Sequence, residues 1–440
     1  MKLLVVLSLM AGVLALSSSN LDVHLRTTLN TKGLEPLTKP ELEKSKVELG
    51  QKLFFDKILS GNRDISCATC HHPSLHSSDG LRLPIGVGGK GLGPERILGY
   101  DRTLIPRNSP DIFNRGHKEW RTMFWDSRVS GSQAEGFITP ADEKLPEGFD
   151  NVLAVQAMFP VLSRDEMRGE IGDVDVFGTE NELALISDAA PQSVWAAIMK
   201  RVLNVPEYQK LFQEAYPHVS TDELGFQHAA NAIAAFEIDA FTMLDSPWDR
   251  YLRGDDGALS AKEKQGATLF YGKAGCDRCH SGDLMTDQKH HNIGIPQFGP
   301  GKGNAAPLDV GRFLETGKRT DRFAFRTPPL RNVTHTAPYM HNGAFIDLKD
   351  AILHHLDPEN SLRQYSPEQI PPEMRASYQD NKDLEDRMIA SIDSYLRVPL
   401  YLADEEVEAL TAFMFALTDD GMERINESLI YSVPSGLPVD

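Results

Sequence analysis

All four cysteines of this 440-residue sequence fall in two short stretches, Cys67-Ala68-Thr69-Cys70-His71 and Cys276-Asp277-Arg278-Cys279-His280. Two thiols one helical turn apart can each add to a vinyl group of the same porphyrin. The histidine that follows then lies beneath the iron as an axial ligand. The spacing therefore predicts two covalently bound c-type haems, with His71 and His280 as proximal ligands. A four-cysteine zinc site does not require a histidine after each pair. A thioredoxin-like pair does not recur with the same histidine. Disulfide pairing remains a third alternative in a secreted chain.

The elements around each motif look duplicated. Leu49-Gly50 and Leu53-Phe54 precede the first motif, and Gly266 and Leu269-Phe270 precede the second. Each set sits on a stretch with helical spacing. Thr38 with Glu41 predicts a capping box for the first helix, and Ser260 with Glu263 predicts one for the second. A glycine on such a helix lets another helix cross closely. Val407, Leu410, Met414 and Leu417 give Glu405 to Leu417 one apolar face, which suits it to cross Gly266. Ser193 to Phe212 and Phe226 to Phe241 also read as helices. Strand signals are few, and the loops Leu81–Gly99 and Pro296–Gly303 are rich in Gly and Pro. The expected fold is mainly α, with two cytochrome c-like domains whose long loops wrap the haems. The polar turn Arg253 to Leu259 marks the boundary. The expected domains are residues 20–254, holding the first haem, and 255–440, holding the second.

Lys2, the apolar run Leu3 to Leu16 and Ser17-Ser18-Ser19 make residues 1–19 a secretory signal peptide. This run is short for a membrane span, and no other stretch is long and apolar enough to be one. The formal charge of −18 argues against nucleic acid and suits a basic protein partner.

Beyond the cysteines, the chain resembles the bacterial di-haem cytochrome c peroxidase family, which includes the MauG-like proteins. The resemblance rests on Pro106-Arg107-Asn108-Ser109-Pro110, Phe124-Trp125-Asp126-Ser127-Arg128, and Gln156 with Pro160-Val161. It continues through Trp248-Asp249-Arg250-Tyr251-Leu252, Pro329-Leu330-Arg331-Asn332 and Ala337-Pro338-Tyr339-Met340-His341-Asn342-Gly343. It implies a periplasmic enzyme that reduces hydrogen peroxide at the first haem. Electrons would come through the second haem from a small cytochrome c or cupredoxin. It further implies Glu166 as the acid–base group, Gln156 as a hydrogen-bond donor, and Trp125 as the bridge between haems. A calcium ion on the Asn108 side chain and the Thr336 and Pro338 carbonyls is implied too, as is a homodimer.

Two positions depart from the peroxidase pattern. Val87, in Ile85-Gly86-Val87-Gly88-Gly89, stands where the resting peroxidases carry a distal histidine, and valine cannot ligate iron. His76 and His117 are the nearby alternatives. At the second haem, the register from His341 puts His355 where peroxidases place methionine and MauG-like members tyrosine. His354 is the alternative if the register slips by one, and Met340 also lies nearby. Three functions remain open: a peroxidase, a MauG-like oxidase that modifies a protein side chain, and a pure electron carrier.

Overall fold

The computed structural model describes residues 18–440. The segment read as a signal peptide lies almost entirely outside the described residues. Helix α1 (Ser18–Lys32) buries Leu21, Leu25 and Leu29 along one stripe, as a helix with apolar residues four apart must. That stripe lies against the second half of the molecule, where Lys264 pairs with Asp22 at 2.8 Å and Arg26 with Asp256 at 2.7 Å.

The first half is organised by the crossing of two helices. Helix α2 (Lys44–Phe55) carries Gly50, and a Cβ there would sit 1.8 Å from the Ala232 carbonyl oxygen. Only glycine permits this approach. The one-turn helix α3 (Cys67–Cys70) follows, then α4 (Val152–Ala157). Helices α5 (Pro191–Leu203) and α6 (Pro206–Ala215) come next, then α7 (Phe226–Phe241), whose buried Ala229, Ala230 and Ala232 receive α2. Phe54 and Phe55 close the crossing against Phe236, with ring centroids 5.1 and 6.0 Å away. A small antiparallel sheet of β1 (Thr122–Met123), β2 (Val129–Ser132) and β3 (Gly136–Ile138) pairs Met123 with Val129 and Ser130 with Ile138.

The second half repeats the device. Helix α8 (Pro247–Leu252) leads to α9 (Ala261–Phe270), whose Gly266 leaves no room for a Cβ: one would lie 1.9 Å from the Ala409 carbonyl oxygen. Short α10 (Phe313–Thr316), α11 (Leu348–Leu356), α12 (Pro358–Gln364) and α13 (Lys382–Ala390) precede α14 (Asp404–Ala416), which makes the crossing. Phe270 and Phe413 meet across it at 5.4 Å. Strands β4 (His290–His291) and β5 (Phe325–Arg326) form a two-residue ladder.

The Ser260–Glu263 capping box is present on α9, where Glu263 N donates to Ser260 Oγ at 3.3 Å and Ser260 N to Glu263 Oε2 at 2.6 Å. The one expected at Thr38 and Glu41 is not, because α2 begins only at Lys44, after an irregular stretch. The single helix expected over Ser193 to Phe212 is two. Pro206 takes the first position of α6, where its missing N–H costs nothing, whereas inside a helix it would break the ladder.

The packing also crosses residue 254 in three places. Trp248 and Tyr251 are buried in the second core, and α1 packs on that half. The tail returns to the first half, burying Met422, Ile425, Val433 and Leu437 in its core.

Candidate haem sites

Helix α3 starts at Ser66, whose N–H donates to Thr69 Oγ1 at 3.0 Å. The turn delivers His71 with Nδ1 3.0 Å from the Ser77 carbonyl oxygen. A ring nitrogen facing a carbonyl must carry the proton, so Nε2 keeps its lone pair. Burial lowers the His71 pKa, which holds the ring in the neutral form a metal needs. At the second motif, Gly275 in the left-handed region (φ +61°) opens a 3₁₀ turn, Cys276–Arg278. His280 Nδ1 lies 3.1 Å from the Pro328 carbonyl oxygen, the same tautomer logic. Burial, then His355, pushes its pKa down to about 4.

None of the four cysteines is in a disulfide. Burial pushes the Cys67 and Cys276 thiols up to about 12. A redox-active or zinc-binding pair needs stabilised thiolates, which these surroundings oppose. They suit thioethers instead.

The first motif opens onto a cavity enclosing about 1360 Å³, part of it continuous with solvent. His71, Trp125, Gln156, Glu166 and Lys302 line it. Glu166 rides on a π-helical turn, Arg164–Arg168, whose start is capped by Ser163 and whose end needs Gly169 at φ +86°. Its carboxylate has no hydrogen-bond partner among the described residues, and burial raises its pKa. The Gln156 amide on α4 is likewise unpartnered. Trp125 is buried, donating from Nε1 to the Asn108 carbonyl oxygen at 3.0 Å. Its own carbonyl accepts from Arg326 N of β5 at 2.8 Å, tying this residue to the second half.

Two buried polar atoms on the cavity wall are orphaned, Arg115 Nη1 and Glu237 Oε2. Burial raises Glu237 to about 8 and lowers Arg326, also on the wall, to about 9. An apolar disc bearing two carboxylates fits apolar walls edged by such arginines.

Val87 does not line the cavity. It is buried in the first core, with its N–H donating to the Asp165 carbonyl oxygen at 3.2 Å. Gly86 packs on the same carbonyl, where a Cβ would meet it at 1.8 Å. His76 stacks on His335 at 4.1 Å, and neither His76 nor His117 lines the cavity. Among the described lining residues, His71 is the only histidine.

At the second site, the rings of His280 and His355 lie 6.3 Å apart, centroid to centroid. Two imidazoles bound to opposite sides of one iron need about this spacing, with metal–nitrogen bonds of about 2 Å and half a ring on each side. His355 Nδ1 donates to the Ala351 carbonyl oxygen at 2.7 Å, leaving Nε2 free. Both nitrogens of His354 are engaged, by Ser361 Oγ at 2.9 Å and the Ile293 carbonyl oxygen at 2.7 Å. His354 is therefore a buried structural residue. Met340 packs in a separate core with Phe345.

The Asn108 side chain donates from Nδ2 to the Leu81 carbonyl oxygen at 2.8 Å, and its N–H donates to the His341 carbonyl oxygen at 2.7 Å. Its Oδ1 and the Thr336 and Pro338 carbonyls accept no hydrogen bond among the described residues. Such free hard oxygens suit calcium.

Reading residues in isolation missed Lys302, Arg115, Arg326 and Glu237. Lys302 sits in the Gly–Pro loop 296–303, whose glycines on either side of one lysine were the available signal. It also missed the cluster of Cys279, Asp287 and His291, in which His291 bridges Asp287 (3.0 Å) and Asp393 (2.7 Å).

Each half sets a helix crossing beside a Cys-x-x-Cys-His turn with an oriented histidine, an arrangement suited to a haem protein. Comparison with known proteins agrees. The family model for di-haem cytochrome c peroxidase matches residues 44–257. A methylamine utilization protein MauG from Methylorubrum extorquens is 32% identical over 79% of this chain and 77% of its own. A cytochrome c551 peroxidase from Pseudomonas aeruginosa is 33% identical over 69% of this chain and 70% of its own. The solved structure of a MauG-like protein associated with microbial copper homeostasis superposes with a TM-score of 0.60, at 27% identity, covering 88% of this chain and 94% of that one. The chain belongs to the di-haem cytochrome c peroxidase family. It is an oxidoreductase of the peroxidase type, with haem as its cofactor. No helix among the described residues is long and apolar enough to cross a membrane.

Proposed function

We propose that the chain is a periplasmic di-haem peroxidase that reduces hydrogen peroxide to water with electrons from a small cytochrome c or cupredoxin. The balance is one peroxide, two protons and two electrons to two waters. The carrying observation is that Glu166 and Gln156, both without partners, share the His71 cavity while Val87 stands outside it. Cys67 with Cys70 and Cys276 with Cys279 would attach the haems covalently. His71 and His280 would each hold an iron, and His355 would join His280 at the second site. The haems, when bound, supply the iron that exchanges electrons with peroxide and donor.

The chain's own residues do the rest. The Glu166 carboxylate takes a proton from one peroxide oxygen and returns it to the other, so that the departing oxygen leaves as water. Its raised pKa brings it nearer the operating pH, where such a base works best. The Gln156 amide donates a hydrogen bond that orients the peroxide. Trp125, joined through its backbone to β5, carries electrons between the halves. Asn108, Thr336 and Pro338 would hold a calcium ion, at the junction of 81–82, 108 and 336–343.

The test is Glu166→Gln in the holoprotein. Both haem spectra should persist while peroxide turnover falls by roughly 100-fold or more, the usual weight of a positioned acid–base group. Unchanged turnover would remove Glu166 from the mechanism.

A second reading, a MauG-like oxidase acting on a protein side chain, draws on His355. A second histidine leaves a haem at lower potential than methionine does, which suits sharing oxidising equivalents better than accepting electrons from a high-potential donor.

A further inference from the structure

The first cavity is completed from the other half of the molecule. The loop carrying Lys302 is held over it by buried ion pairs. Arg107 grips Asp309 through two bonds, Nε at 2.6 Å and Nη2 at 2.8 Å, and reaches Asp126 with Nη1 at 2.5 Å. Arg312 donates to the Ser127 carbonyl oxygen at 2.7 Å. Gly301 (φ +72°) turns the loop where a Cβ would lie 2.4 Å from the Pro307 carbonyl carbon. Lys302 N then donates to the Leu308 carbonyl oxygen at 3.0 Å, and Lys302 lines the same cavity as Glu166. Its ammonium makes no hydrogen bond or ion pair among the described residues. Burial disfavours the charged form of a lysine so placed, and the negative charges of Asp126 and Glu166 oppose that.

We propose that Lys302 is a positioning residue for the peroxide chemistry: its ammonium, delivered by the second half, keeps Glu166 ionised and so able to act as a base. This rests on the role given to Glu166 above. The charges around the loop support it. Arg107, Arg128 and Lys302 lie among Asp126, Asp309 and Glu166, and Lys302 faces both Asp126 and Glu166. Arg128 acts on Glu166 as well, and more strongly, but it is already engaged elsewhere. It is paired with Asp126 at 3.1 Å and lies 3.5 Å above the Phe124 ring. Asp165 and Glu315 also look onto the group but are exposed, so water screens them. Burial pushes Glu166 up, and Arg128 and Lys302 pull it down. The two effects set where the base becomes available.

The test follows the pH dependence of two rates in the oxidised holoprotein by haem absorbance: reaction with hydrogen peroxide, and association of cyanide. Hydrogen cyanide must also lose a proton to a base in the cavity, but it undergoes no turnover. Lys302→Gln should move the acid limb of both rates upward by roughly one pH unit, and Lys302→Arg should restore it. An unmoved limb in Lys302→Gln overturns the proposal, as does a changed haem reduction potential with the limb in place, which would pair Lys302 with a haem carboxylate instead. Should Lys302→Gln lose haem, Lys302→Met and Lys302→Arg carry the same comparison. Wild-type protein inert to peroxide would defeat the peroxidase reading alone, because the cyanide limb would still report on Lys302.

Discussion

Replacing Gly50 by alanine sets local propensity against packing. Alanine favours a helix interior over glycine by about 1 kcal/mol, so propensity alone makes the variant more stable. The structure gives the opposite sign. The new methyl would lie 1.8 Å from the Ala232 carbonyl oxygen, where ordinary contact begins at 3.4 Å. Helices α2 and α7 must therefore separate by about 1.5 Å, a gap that forfeits most of the dispersion energy between them. Leu53, Phe54 and Phe236 lose contact, and overpacking of this kind costs roughly 1–3 kcal/mol or more. Set against the propensity gain of about 1 kcal/mol, a cost at the upper end of that range leaves a net loss of about 2 kcal/mol. Guanidinium unfolding of the holoprotein, followed by far-ultraviolet dichroism and haem absorbance, measures it. Gly266→Ala, at 1.9 Å from Ala409, should behave alike and perturb the second haem first. A midpoint that is unchanged or raised in Gly50→Ala would refute the close crossing.

His355→Ala should convert one low-spin haem to high spin in the electron paramagnetic resonance spectrum, while His354→Ala should lower stability and leave the ligand signal. Asp309→Asn leaves part of the buried Arg107 guanidinium unpaired, and should cost about 3 kcal/mol of stability, read by thermal unfolding, with slower electron transfer between the haems. Burial would raise the Asp126 and Asp309 carboxyls, but Arg128 and Arg107 overcome it and hold both below their ordinary range. Their contribution is therefore complete above the unfolded pKa of about 4 and lost as pH falls through the lower folded values. Stability should show no step from this network between about pH 5 and 8, and acid unfolding of Asp309→Asn should begin at higher pH than wild type. Glu166 shifts the other way: its base form appears only above a raised pKa. The acid limb of the peroxide reaction should thus lie above pH 4.5, measured by stopped-flow absorbance.

Short-range chemistry was legible in the sequence. The two Cys-x-x-Cys-His turns, the Ser260–Glu263 cap and the bounds of Phe226–Phe241 all follow from neighbours within four residues. The crossing of Gly266 by Glu405–Leu417 was legible too, because glycine on an apolar helix face has few other uses. What depended on distant partners was not. Thr38 and Glu41 carry the capping pattern, but the chain there runs irregularly to Lys44. Periodicity ran through Leu203 and Val205 and hid the break that Pro206 imposes. Nothing local announces that α1 and Trp248 join the second core, or that Val433 and Leu437 return to the first. Lys302 reaches the first cavity on a loop anchored by distant partners, among them Arg107, some 200 positions from Asp309. His355 was found by counting from His341. Its preference over His354 needed the hydrogen bonds that occupy both nitrogens of His354.

The most direct measurement is peroxide-dependent oxidation of a reduced small cytochrome c or cupredoxin by the fully oxidised holoprotein, with no prior reduction. With Val87 buried away from the cavity and no second histidine among its described lining residues, turnover should begin at once. A lag that disappears only after pre-reduction would show a ligand blocking the first iron and contradict it. Absence of turnover with every donor, alongside a long-lived oxidised spectrum after peroxide, would contradict the peroxidase assignment in favour of the oxidase.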